Sequence, residues 1–236
     1  MSPTVRHALI ITGWELGELV RERTMMALAA LFTIVLPVYL AWMGWSSNVS
    51  PDFISFWALE SAFAPIFLAS MMMVHTFITD RDQGILPTLL ATPISNLALF
   101  VGKALPIIVL GIVQGCCGSA IFTLALWLHR PDLLATADRF ALLLVPPVVV
   151  CTTLVVCGLG IIVASRVRSP RSASLVLTFC SLGVLICEYM LALYLMIAPV
   201  GRLLAPEAVV AQGALGIALL VVAANTYRRE RILARL

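Results

Sequence analysis

An all-α integral membrane domain of six crossings is what this sequence predicts, on three observations. The first is composition. Of 236 residues, 61% are hydrophobic and only 11% are charged, whereas soluble domains run near half apolar and about a quarter charged. The second is that the apolar residues fall in blocks near the length of a bilayer crossing, roughly 20 residues at 1.5 Å rise. These blocks cover about 25–45, 57–79, 98–127, 139–165, 172–197 and 206–226. The third is the placing of basic residues. If both termini share one side, it holds Arg6, Arg21, Arg23, Arg81, Lys103, Arg166, Arg168, Arg171, Arg228, Arg229, Arg231 and Arg235. The other side holds Arg130, Arg139 and Arg202, a division of 12 against 3 among the 15. Both termini are therefore expected on the cytoplasmic side. The organisation expected is an interfacial N-terminal segment (1–24), one membrane domain (25–226) and a basic tail (227–236), with no separate soluble domain.

Residues 3–23 have helical character without the length or apolarity to cross. Val5, Leu9, Leu16, Leu19 and Val20 recur near helical spacing, and Glu15, Glu18 and Glu22 line another face. This predicts a helix lying along the cytoplasmic leaflet, with Arg21 and Arg23 at the headgroups. No signal peptide is expected, because the first apolar run begins after this acidic stretch and is too long for such a segment. The first span contains Pro37 and ends at Trp42 and Trp45, residues that favour the membrane interface. A short outer loop with Asn48, Ser50, Pro51 and Asp52 leads to the second span, which descends from Trp57 to Asp80, Arg81 and Asp82.

The third block is longer than one crossing, so its first turns should tilt or lie outside the hydrocarbon. An outer loop follows at His129-Arg-Pro-Asp132. In the fourth span Pro146 and Pro147 withhold two backbone donors, which predicts a structural kink or a hinge. Ser165-Arg-Val-Arg-Ser-Pro-Arg171 is a short basic cytoplasmic turn, and Ser169-Pro170 closes one helix and opens the next. Pro199 to Pro206 forms the last outer connection, and Arg228-Arg-Glu-Arg231 stops the final helix.

Several chemistries are missing. There is no Gly-x4-Gly-Lys-Ser/Thr loop; Gly102-Lys103 is followed by Ala104 and lacks the upstream glycine. The chain is thus not expected to be an enzyme or to bind ATP itself. No ladder of embedded carboxylates suggests proton or sodium coupling. Cys116, Cys117, Cys151, Cys157, Cys180 and Cys187 all fall within the proposed spans, without metal-site or paired spacing, and read as small packing residues. Gly115-Cys-Cys-Gly-Ser119 suits close helix packing, and no histidine lies at a depth to activate its serine. No metal, cofactor or nucleic-acid partner is expected. Two carboxylates, Glu60 and Glu188, lie within spans two and five at similar heights in the outer half. Groups there face a cavity or a partner: a cationic substrate, Arg202 at an outer gate, or a local hydrogen-bond partner.

The charged segment between spans two and three carries the functional signal. Asp80-Arg-Asp-Gln-Gly84, Thr88-Leu-Leu-Ala-Thr-Pro-Ile-Ser95 and Gly102-Lys-Ala-Leu-Pro106 together resemble the signature of ABC-2 type export permeases. Pro87 stands where that family usually has a helix former, and it suits the first turn of a short helix. The resemblance implies two permease chains, identical or related, in a bacterial cytoplasmic membrane, with two copies of a cytoplasmic ABC ATPase beneath them. It implies that residues 80–95 dock on the ATPase. Asp80, Arg81, Asp82, Gln83 and Gly84 would supply the polar contact, and Leu86, Thr88, Leu89, Leu90, Thr92, Pro93 and Ile94 the apolar and turn positions. Arg166, Arg168 and Arg171 would make a second, smaller contact. A re-entrant pair of short helices, common in the family before the last span, has only about nine residues available, Ala198 to Pro206. The alternatives are a haem-exporter-type subunit of cytochrome c maturation, and an ATPase-independent carrier or membrane scaffold.

Overall fold

The computed structural model describes residues 3–46, 54, 56–61, 72–73, 76–77, 94–137, 139–167, 170–197 and 201–226. Among these, every regular element is a helix. Helix α1 (Pro3–Arg21) ends where Glu22 adopts an extended backbone, and α2 starts again at Arg23 and runs to Ser46. Within α2 a π-helical turn, Leu31–Val35, lies just before Pro37. The position is physical: Pro37 lacks an N–H and its ring crowds the carbonyl one turn back, and a widened turn relieves that clash.

Helix α3 (Asn96–His129) opens on Ser95, whose hydroxyl accepts a hydrogen bond from the Ala98 amide at 3.2 Å. Its 34 residues span about 51 Å, well beyond a hydrocarbon core of about 30 Å. The excess is used: the first turns of α3 pack along α1. A short helix α4 (Pro131–Thr136) precedes α5 (Arg139–Arg166), which continues as helix through Pro146 and Pro147. Helices α6 (Pro170–Ile197) and α7 (Gly201–Thr226) complete the described residues.

Among the described residues, four helical stretches are long and apolar enough to cross a membrane: Arg23–Ser46, Asn96–His129, Leu142–Arg166 and Pro206–Thr226. They match the first, third, fourth and sixth expected spans. Helix α6 coincides with the fifth, and among its described residues an apolar stretch covers Leu175–Met190. Most of the second expected span, 57–79, lies outside the described residues.

Two apolar clusters anchor opposite ends of the bundle. One gathers Leu19, Ala29, Phe77, Phe100, Ala164, Leu177 and Ala223. These are the start of α2, α3 and α6 and the end of α1, α5 and α7, so α2, α3 and α6 run one way and α5 and α7 the other. The other joins Leu40 and Ala41 of α2, Ile54 and Ala58, Phe122 and Leu126 of α3, and Ala137. The most extensive helix pair is α5 with α7, and glycine makes it possible. A Cβ on Gly158 would stand 2.6 Å from Leu219 Cβ, and one on Gly216 would stand 2.8 Å from Leu154 Cβ. Small residues let two backbones approach where lipid supplies no hydrophobic drive. All six cysteines are free thiols.

Candidate functional site

Of the expected docking segment, Asp80 to Pro93 lie outside the described residues; Ile94, half-buried, is where description resumes. Arg166 is exposed at the end of α5, Arg168 is outside the described residues, and Arg171 belongs to the first turn of α6 with its side chain undescribed. What the structure does describe is the frame on either side of that segment: Thr76 and Phe77 before it, and Ser95 to Lys103 after it.

This frame is held by one lysine. Lys103 is fully buried, and its Nζ lies 2.5 Å from Glu15 Oε1 in α1. The same nitrogen lies 3.5 Å from the Thr76 carbonyl oxygen. Glu15 and Thr76 are each 3% exposed, so the contact is sealed from water and lipid. Beside it Gly102 brings the backbones together, since a Cβ there would sit 2.7 Å from Ile11 Cβ and 3.1 Å from the Ala8 carbonyl oxygen. The Thr12 hydroxyl donates to Ala8 O at 2.9 Å and to Gly102 O at 3.3 Å. Three elements thus meet at Gly102-Lys103. The motif reads physically as a glycine that admits α1 and a lysine that pins it.

The expected solvated acidic face of α1 needs correction at Glu15. Ala8, Ile11, Thr12, Glu15 and Leu19 share one face by their spacing of three and four, and that face packs on α3. Val5, Leu9 and Val20, expected to face the leaflet, are 47%, 50% and 50% exposed and lie off the α3 contact. The alternation of Ala8 and Leu19 around Glu15 was the available signal. A carboxylate between two buried apolar positions needs a cation, and the chain supplies one in Lys103.

A second polar group sits inside the bundle. Glu188 of α6 accepts a hydrogen bond on Oε1 from the Thr152 hydroxyl of α5 at 3.1 Å. Gln212 Nε2 of α7 donates to Thr152 Oγ1 at 2.7 Å and also to Glu188 Oε1. The next residue on α6, Tyr189, meets Phe56 edge-on with ring centres 4.8 Å apart. That contact sets Glu60, four positions after Phe56, about 6 Å further along its helix, at the level of this cluster. Arg202 lies ten residues before Gln212 on α7, about 15 Å along the axis, with its side chain undescribed. Thr152 and Gln212 were not singled out in the sequence. Each is a lone neutral polar residue in an apolar run, and only the fold brings them to Glu188.

Elsewhere, an apolar groove of about 640 Å³ opens between the far halves of α3 and α5, lined by Ser119, Thr123, Trp127, Leu142, Val145 and Pro146 among others. In the connection after α3, Arg130 Nε and Nη2 donate to both Asp132 carboxylate oxygens at 2.9–3.1 Å. Those hydrogen bonds hold the Asp132 carboxyl below its usual range. Among the described residues, no group of three or more His, Cys, Asp or Glu is placed to hold a metal ion.

Residues 8–200 match the sequence profile of the ABC-2 type transporter family. No curated protein matches the chain with significance. The family match covers most of the chain and takes in α2, α3 and α5, three of the helices long and apolar enough to cross a membrane, while α7 follows it. The chain therefore belongs to the ABC-2 type transporter family and is an integral membrane permease component of an ABC transporter.

Proposed function

We propose that this chain is the transmembrane subunit of an ATP-driven exporter in a bacterial cytoplasmic membrane. It pairs with a second permease chain, identical or related, and is driven by two copies of a separate ABC ATPase. The proposal takes six spans with both termini cytoplasmic. Ile54 and Ala58 belong to the apolar cluster at one end of the bundle, while Met72, Met73 and Phe77 belong to the cluster at the other. A crossing between them supports the second span.

The observation that carries the reading is the Lys103 contact. Residues 80–94 are proposed to dock on the ATPase, with Arg166, Arg168 and Arg171 adding a second contact. That segment is bounded by Thr76 and by α3, and Lys103 binds the Thr76 carbonyl, α3 and Glu15 of α1 into one unit. A push on the segment would then move three helical elements together rather than dissipate in a slack loop. ATP-driven closure of the ATPases would tilt this unit and shift the paired bundles from inward- to outward-open. Such a shift is limited by the difference in partner binding between the two states.

Asp82→Ala and Gly84→Pro test the reading. In reconstituted vesicles each variant is expected to insert and purify as wild type, yet to separate ATP hydrolysis from transport. Normal coupled transport by both variants would remove the docking role from this segment.

A further inference from the structure

We infer that the carboxylate of Glu188, held by Thr152 and Gln212, forms a binding site for a lipophilic organic cation. A carboxylate in the low-dielectric part of a membrane bundle calls for a counter-charge, because its solvation is lost and its field is poorly screened. The described residues supply none. Lys103 is committed to Glu15 at the other end of the bundle, and Arg130 to Asp132 outside it. Among the described residues, neither Glu188 nor Glu60 has a cationic partner. Hydrogen-bond donors reach Glu188 on one oxygen only: Thr152 and Gln212 both bind Oε1. They fix the carboxylate from α5 and α7, and Oε2 has no hydrogen-bond partner among the described residues. The group is also not sealed, keeping 9% of its surface exposed.

The surroundings select the kind of cation. A calcium-like ion needs six to eight oxygen ligands, and Glu188 with one threonine and one glutamine offers at most about four. Around the cluster stand Leu59, Val148, Val156, Val184, Leu185 and Val209, an apolar wall drawn from four helical segments. The Phe56–Tyr189 aromatic pair adjoins it, and aromatic faces attract poorly hydrated cations. A carboxylate, an apolar wall and aromatic rings together fit an organic ammonium or phosphonium, and they disfavour an anion of the same shape. If the exporter reading holds, this cation is its cargo; the binding site itself does not depend on an ATPase.

The test uses the full-length chain in neutral-lipid nanodiscs, with empty nanodiscs as background. The probes are tetraphenylphosphonium and tetraphenylborate, two ions of nearly equal shape and opposite charge. Saturable binding of the phosphonium but not the borate is expected. Glu188→Gln is expected to weaken phosphonium binding by about tenfold or more, and Glu188→Asp to retain more of it than Gln does. Thermal unfolding of each variant separates lost binding from lost fold, and the comparison of the two probes on wild type needs no variant at all. Equal binding of both probes, or a folded Glu188→Gln protein that binds phosphonium as wild type does, overturns the inference. An ATPase that co-purifies with a chain indifferent to the phosphonium would keep the exporter reading and discard only the cation.

Discussion

Lys103 is the residue on which most of the structure turns. A lysine with no exposed surface is tolerable only with its charge matched, and Glu15 matches it across 88 positions of sequence. Replacing a buried ion pair with apolar groups is often neutral, whereas removing one partner strands the other charge at a cost of about 3–5 kcal/mol. Glu15→Ala is therefore expected to lower the unfolding temperature in detergent sharply, and Glu15→Ala with Lys103→Met to recover most of the loss. Equal melting of Glu15→Ala and wild type would mean that the pair contributes nothing to the fold. The lysine was legible in the sequence as part of a Gly-Lys turn; its partner was not. Glu15 has Ile11 and Leu19 one turn to either side where Glu18 has Arg21 and Glu22 beyond it, a signal that marks the buried carboxylate without naming Lys103 as its partner.

At the scale of elements, glycine positions decide which helices touch. Gly102 lets α1 lie on α3, and Gly158 and Gly216 let α5 and α7 cross closely. A Cβ on Gly216 already stands 3.1 Å from the Val155 backbone nitrogen, which cannot move aside as a side-chain tip would. Gly216→Leu is accordingly expected to destabilise the bundle by about 1–3 kcal/mol or more through overpacking. Gly183 has nothing within 4 Å of such a Cβ, so Gly183→Leu serves as the matched control and should melt near wild type. If both variants melt alike, the close α5–α7 crossing is wrong. The helices themselves were legible from length and apolarity, and the surplus length of α3 was visible too. Its use as a dock for α1 was not, because sequence periodicity shows that a helix has a face without showing what covers it. The π turn before Pro37 belongs to the same class: proline announces a disturbance, and the neighbours determine how the helix absorbs it.

For the whole molecule, the class was the most legible property and the interior the least. Composition and block length identify a membrane bundle because the bilayer imposes both on any chain that crosses it. Glu188 was visible as a charge out of place, but Thr152 and Gln212 were not, since neutral polar residues occur in spans for many reasons. The two polar centres lie toward opposite ends: Lys103 binds the frame of the proposed docking segment, and Glu188 sits among α5, α6 and α7 at the level of Phe56. A transporter driven from one side needs a rigid element at the driven end and a ligand-facing group within the bundle, the roles proposed for Lys103 and Glu188. The measurement that tests the central claim most directly is purification of the tagged chain from native membranes in mild detergents, with mass spectrometry of what accompanies it. A stoichiometric ABC ATPase accompanying the wild-type chain is the result predicted. A wild-type chain that emerges without any ATPase across several such detergents would contradict the account and favour a carrier or scaffold that works alone.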